Sequence, residues 1–285
     1  MARMSYLYEV RSRLIVAAEI SPHEKKELTQ ARELLGERVW EHDCAIYDRG
    51  YNAPCIIAWS LAQDSHFVIR VAVGNCKAAQ AFVRSKALEA DHDFQFSNEV
   101  IEEFKGYGID LPKNNRLRFI RMELGDDEVE VLLTNLADRE KYPAEDFKAV
   151  YHERWTVEEG IKTTKCKMEA ENWTGKTVHS VYQDFYARVL CQNLSAALAA
   201  AAQPALDQQK QACKHRYKIN VKRALGVVRD HFVCLMESPM EKWSAILSLI
   251  ANRILKSPSI IRGGRSFPRG TPRRLPVAQP YKPIT

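Results

Sequence analysis

The 285 residues contain no glycine-rich phosphate loop, neither Gly-x4-Gly-Lys-Ser/Thr nor Gly-x-Gly-x2-Gly, and no internal repeat. The common nucleotide-binding motifs are therefore absent. Seven cysteines, at positions 44, 55, 76, 166, 191, 213 and 234, include no Cys-x2-Cys pair. An odd number without paired spacing argues for reduced thiols and against a cysteine zinc site. The eight histidines show no His-x3-His or His-x-Glu spacing, which leaves a histidine metal site without support. No apolar run approaches a bilayer span. The opening MARMSYLYEVRSR also lacks the apolar stretch of a signal peptide. What remains is an ordinary globular composition, 46% apolar and 27% charged, long enough for one large or two small domains. Its net charge of +6 favours a polyanionic partner.

Two strands, 4 to 9 and 13 to 19, read as a hairpin, followed by a helix over 23 to 36 capped by Ser21. CAIYD, 44 to 48, reads as a short buried strand broken by Arg49-Gly50. Asn52 then caps a helix over 53 to 63 that tolerates Pro54 in its first turn. HFVIRVAV, 66 to 73, is another buried strand. From 74 to 128 the pattern loosens into short mixed segments, closed by strands at 116 to 124 and 128 to 136. Pro143 and the acids Glu145 and Asp146 mark the start of a helix through 151 to 165. Gly160 inside that helix costs about 1 kcal/mol against Ala, which implies close packing there. Helices come next at about 176 to 203, 217 to 236 and 239 to 255. A Pro- and Arg-rich tail without regular structure ends the chain, and its arginines are candidates for phosphate contact or for plain solvation.

The segment YHERWTVEEGIKTTK, 151 to 165, carries the most specific pattern. At about 100° per residue, a continuous helix would put Tyr151, Arg154, Glu158 and Lys165 within a stripe roughly 60° wide. A phenol, a guanidinium, a carboxylate and an ammonium on one face ask for an anion, a metal ion or both. Taken singly, Asp48 reads as a turn or capping residue and Glu158 as a solvated helical acid. Together they match chemistry in which carboxylates from separate elements converge on two divalent cations. By chance the Tyr-x2-Arg-x3-Glu-x6-Lys spacing arises in about one chain per thousand of this length. Trp155 reads as core rather than as a base-stacking ring, and Lys162 lies near the same face.

Residues 151 to 165 resemble the Tyr-x2-Arg-x3-Glu-x6-Lys signature of one branch of bacterial insertion-sequence transposases with an Asp-Asp-Glu catalytic triad. Asp48-Arg49-Gly50-Tyr51 is similar to that branch's block around the second catalytic Asp. EVLLTNL from Glu130, INVKRALGVV (219 to 228) and GGRSFPR (263 to 269) are similar to further blocks of the same proteins. The resemblance implies an α/β, RNase H-like (retroviral-integrase-like) core at 1–73 and 137–205, a β-rich insertion at 74–136, and C-terminal helices with a basic tail at 206–285. It also implies that Asp48 and Glu158 are catalytic, metal-binding carboxylates for Mg²⁺ or Mn²⁺. Tyr151, Arg154, Lys162 and Lys165 would contact the phosphates of double-stranded DNA. A homodimer in a synaptic complex and a location in the bacterial cytoplasm, at the nucleoid, go with that family.

One part of the pattern is not met. The family's first Asp stands on a strand before the hairpin, whereas this sequence opens with the hairpin itself. The acids upstream of Asp48 (Glu9, Glu19, Glu24, Glu27, Glu33, Glu37, Glu41 and Asp43) have no Asp-Gly-Ser/Thr-like setting. The expectation is an N-terminally truncated transposase, inactive in DNA strand cleavage and transfer as it stands. The alternative is a non-catalytic DNA-binding remnant or inhibitor of a full-length enzyme.

Overall fold

In the computed structural model the described residues are 2–36, 43–125, 128–169 and 172–261. They fall into two compact units, one within residues 1–7 and 21–157, the other within 8–20 and 158–285. The tail arginines and the GGRSFPR block lie outside the described residues, as does the Asp126-Asp127 turn.

The first unit is built on a five-stranded sheet. Strands β3 (Cys44–Tyr47), β4 (His66–Val71), β5 (Glu89–Gln95), β6 (Asn114–Gly125) and β7 (Glu128–Thr134) lie in the order β3-β4-β7-β6-β5. β3 and β4 run parallel; β4 to β7, β7 to β6 and β6 to β5 are antiparallel. The strands carry side chains that alternate between two buried faces. Phe67, Ile69, Leu117, Phe119, Val131 and Leu133 join one apolar cluster, together with Ile56 and Ile57 of helix α2 (Pro54–Ala62). The residues between them, Val68, Ile120, Met122 and Leu132, join a second cluster with Phe147 and Tyr151 of α5 (Phe147–His152). Burial on both faces explains the apolar runs of β4 (HFVIRV) and of the second half of β7 (VLLT).

Around this sheet stand α1 (Glu27–Gly36), α3 (Lys77–Ser85) and α4 (Asn98–Gly106). Residues 74–136 thus supply two helices and three strands that share one sheet with β3 and β4. Three boundaries differ from the sequence reading. Ser21 is not a helix cap: strand β2 (Leu14–Pro22) runs past it, and its Oγ accepts from Gln30 Nε2 at 2.7 Å. Ala53, not Asn52, occupies the cap position of α2, because Pro54 already sits at the first helical turn and has no N–H to satisfy. β5, with the sequence EADHDFQ, is an edge strand whose Ala90 and Phe94 pack on the first cluster and whose His92 ring stacks on Phe119 at 4.4 Å, with an Arg116–Asp91 pair at the surface.

β2 and β1 (Ala2–Glu9) form a two-stranded sheet, with Arg13 at φ 62° in the turn between them. β3 and β5 are the edges of the five-stranded sheet.

The second unit is dominated by α7 (Val178–Gln209), α8 (Val221–Glu237) and α9 (Met240–Leu255). Ala202, Leu206, Val227, Val228, Ile250 and Ile254 form their shared apolar core. Asn220 caps α8 by accepting from the Arg223 N–H at 3.1 Å. A short bridge pairs β8 (Tyr217–Lys218) with β9 (Ser259–Ile260). One expectation is corrected: α7 holds an 18-residue stretch of mean hydropathy 1.2, long and apolar enough by composition to cross a bilayer. Its many alanines raise the mean without forming an obvious apolar block. α7 also buries Arg188, Gln192 and Ser195, as a helix packed against protein does.

Candidate active site

Asp48 follows the last residue of β3, at the carboxyl end of the parallel pair. Its backbone is extended (φ −75°, ψ 167°), and its carbonyl accepts from the Tyr51 N–H at 3.0 Å, closing the turn over Arg49 and Gly50. The half-buried side chain is therefore aimed from the end of a rigid strand. Its neighbour Tyr47 is buried, with its ring 5.8 Å from that of Tyr51, and Tyr51 in turn donates to Glu27.

Tyr151 reaches this carboxylate from 103 residues away, its hydroxyl donating to Asp48 Oδ1 at 3.4 Å, a long hydrogen bond. The ring lies in the second sheet cluster and is only 5% exposed. Burial pushes the phenol up to about 12; Arg154 and Arg70 lower it, and Asp48 and Glu130 raise it. The hydroxyl is thus protonated at neutral pH and able to donate. Arg70 on β4 pairs with Glu130 on β7 at 2.6 Å. Arg49 and Arg70 also line a cavity of about 380 Å³ with residues 71–75, Val129 and Glu130.

The loop that delivers α5 is anchored from inside the sheet. Arg118 of β6 is 1% exposed and pairs with Glu89. It donates to the carbonyls of Leu136 (3.3 Å) and Tyr142 (2.8 Å). A buried guanidinium thus satisfies carbonyls of the connection between β7 and α5.

The expected continuous helix through 151 to 165 is overturned. α5 ends at His152, Glu153 is a turn, α6 runs over Arg154–Lys162, and Thr163–Lys167 form a π-helical turn. The Met168 N–H donates to the Thr163 carbonyl at 3.1 Å, the i→i+5 closure of that turn. A π turn inserts one extra residue and displaces the residues after it by up to about 100° of helical rotation. The four signature residues therefore do not form one continuous α-helical stripe. Tyr151 is in the core, Arg154 and Glu158 are half-buried, and Lys162 and Lys165 are exposed.

Trp155 is also not a core residue: it is 40% exposed. The Arg154 guanidinium lies 4.7 Å from its ring centroid and 5.6 Å from that of Tyr151. An arginine between two rings is held in place by cation–π attraction.

Asp48, Tyr151 and Arg154 come together in the first unit. Glu158, Lys162 and Lys165 belong to the second, where α6 and the π turn are held by residues that sequence reasoning missed. Gln192 Nε2 donates to the Gly160 carbonyl at 3.4 Å, and its Oε1 accepts from the Thr164 hydroxyl at 2.6 Å. Arg188 donates to the carbonyls of Met168 (3.2 Å) and Asn172 (2.8 Å), and Asp184 accepts from Thr174. The available signal was Asp-x3-Arg-x3-Gln at one-turn spacing in an Ala- and Leu-rich helix. Gly160 is close-packed as expected: a Cβ there would lie 2.9 Å from Tyr8 Cε2.

Among the described residues no three His, Cys, Asp or Glu side chains converge as a metal-binding group. All seven cysteines are free thiols.

Residues 2–194 match the family model described as "Transposase DDE domain". Over 190 residues the chain is 26% identical to "Transposase InsG for insertion sequence element IS4" of Escherichia coli (strain K12). That alignment covers 65% of this chain and 41% of that protein, so the chain spans about two fifths of the length of the curated relative. The Asp48 block and the Tyr-Arg-Glu-Lys block both fall inside the matched residues, and the chain belongs to the DDE-domain transposase family.

Proposed function

We propose that this chain is a portion of the catalytic domain of an insertion-sequence transposase, a domain whose complete site would carry out metal-dependent cleavage and transfer of DNA strands at the element's ends. The observation that carries the reading is the hydrogen bond from Tyr151 to Asp48. It joins the two sequence blocks that resemble separate parts of one active site. An RNase H-like topology is the finer reading of the fold, supported by an Asp at the carboxyl end of a parallel strand in a mixed sheet.

In this reading Asp48 and Glu158 hold divalent cations. Their donor set is oxygen only, which fits Mg²⁺ or Mn²⁺ and not a thiophilic metal. When bound, the ions supply Lewis-acid stabilisation of the attacking and leaving oxygens. The protein's own groups do the rest. Tyr151, protonated at neutral pH, donates to Asp48 and fixes which oxygen remains available. Arg154 offers a planar fork to a phosphate, oriented by two aromatic rings, while Lys162 and Lys165 offer point charges. The partner is duplex DNA, at the element's ends and at the target, with a second copy of the chain in the synapsis, in the cytoplasm at the nucleoid.

The two named carboxylates fall short of the family's three, so this polypeptide alone is expected not to nick DNA. A nicking assay with Mg²⁺ or Mn²⁺ tests the reading on three proteins. These are this chain, a version extended by a family segment carrying the first Asp, and that extension with Asp48→Asn. Nicking only by the second is the expected result. Nicking by the chain alone, lost on Asp48→Asn, would mean another acid completes the site. DNA binding with no nicking by any version would favour the non-catalytic remnant.

A further inference from the structure

The π turn at Thr163–Lys167 is contacted near both ends by side chains of α7. The Gly160 carbonyl, one turn before Thr164, faces the Gln192 amide at 3.4 Å and the Thr164 hydroxyl at 3.3 Å. The Thr164 hydroxyl has one proton and lies closer to Gln192 Oε1, at 2.6 Å, so it bridges Gln192 to the helix. Thr164 is 0% and Gln192 5% exposed, so neither has water as an alternative partner. A buried amide left unpartnered is costly, so the contacts of Gln192 to the Gly160 carbonyl and the Thr164 hydroxyl resist displacement. Arg188, one turn earlier on α7, holds the carbonyl of Met168, the residue whose N–H closes the π turn. Two successive inward side chains of α7 thus grip the start and the end of the same turn.

We infer that Gln192, with Thr164, is a positioning pair. It holds the π turn open and so sets the rotation at which Lys165 leaves the helix relative to Glu158. The inference rests on the reading of Lys165 as a phosphate contact and adds to it the device that aims that contact. Lys165 lies inside the turn, so closing the turn to α geometry rotates it by a sizeable part of about 100°. Held in this way, the turn uncouples the direction of Lys165 from that of Glu158.

The test is the salt dependence of binding to duplex DNA by the intact chain. Four proteins are compared: wild type, Lys165→Ala, Gln192→Leu (similar volume, no amide) and Gln192→Leu with Lys165→Ala. Each phosphate contact contributes about 0.9 to the slope of log affinity against log salt, so losing one shrinks the drop between about 50 and 200 mM by about 3.5-fold. Lys165→Ala should lose one such contact, Gln192→Leu should lose the same contact, and the double variant no more than either alone. A purely structural role for Gln192 would lower the melting temperature and leave the slope alone. If Gln192→Leu does not fold, Thr164→Val removes the hydroxyl bridge at nearly constant shape and takes its place. An unchanged slope in the Gln192 or Thr164 variant, beside a reduced one in Lys165→Ala, overturns the inference. So does an additive double variant. No salt dependence in the wild type overturns the DNA-binding reading itself, and with it this inference. An unchanged slope in Lys165→Ala alone removes only the assignment of Lys165 and the inference built on it.

Discussion

The two units hold their functional side chains by opposite means. In the first, apart from the Arg118 grip on the loop before α5, Asp48 and Tyr151 are positioned by apolar packing: a strand end and a helix are clamped to a sheet whose two faces are filled by alternating residues. In the second, the segment bearing Glu158 and Lys165 is positioned by buried hydrogen bonds from Gln192 and Arg188. Apolar packing is non-directional and tolerates volume-conserving change; a buried polar grip is directional and fails when one partner is lost. Substitutions in the first unit should therefore act on stability in proportion to volume removed. Those in the second should act on geometry at smaller cost in stability.

The largest effect is expected from Phe67→Ala on β4. Phe67 is 0% exposed at the centre of the first sheet cluster, so truncation removes a whole ring and leaves a cavity. The cost should be about 3–5 kcal/mol, read from urea unfolding followed by a fluorescence or far-UV signal. A loss below about 1 kcal/mol would show that this cluster collapses freely and does not fix the strand that carries Arg70.

A smaller effect, and a more specific one, is expected at Gly160 in the second unit. An alanine Cβ would meet the Tyr8 ring at 2.9 and 3.2 Å, closer than carbon atoms approach without something moving. Relief of glycine's helix penalty offsets part of the clash, so Gly160→Ala should destabilise by about 1–2 kcal/mol net. Adding Tyr8→Ala should make Gly160→Ala stabilising in that background, since only the propensity gain is left. A clash that persists without the Tyr8 ring would mean that the backbone itself is the obstacle.

The same contrast separates the legible parts of the sequence from the illegible ones. Strand β4 was legible because double-sided burial writes itself as a run such as HFVIRVAV, and β6 and β7 because apolar residues recur along them between turn residues. The close approach at Gly160 was legible because glycine within a helix needs a reason. The breaks at Glu153 and Thr163 were not. The second depends on a carbonyl at 160 meeting an amide at 192, and no local propensity encodes a partner 32 residues away. Trp155 misled for a related reason. An isolated tryptophan reads as core, but here the ring supports Arg154 from an exposed position. β5 was invisible because its inward residues Ala90, His92 and Phe94 alternate with acids and include only one large apolar side chain.

The smallest effect at neutral pH, and the one that isolates the candidate site, belongs to Tyr151→Phe. The ring and its packing stay, and the lost hydrogen bond to Asp48 is long and partly solvated, so stability at pH 7 should change by less than about 1 kcal/mol. The difference appears in alkali. Burial holds the folded phenol at about 12, above the ordinary value of 10.0 for an exposed tyrosine. Between those values the unfolded chain has released the proton and the native state has kept it, so stability falls as pH rises. The contribution is fully present below pH 10 and is lost as pH rises through about 12. Tyr47 and Tyr51 are shifted upward as well, so wild type and Tyr151→Phe must be compared directly. The variant should lose stability less steeply between about pH 10 and 12, by up to about 1.4 kcal/mol per pH unit. Parallel curves would mean that the Tyr151 hydroxyl is open to water. The Asp48–Tyr151 link would then not be the fixed junction that the proposed site requires.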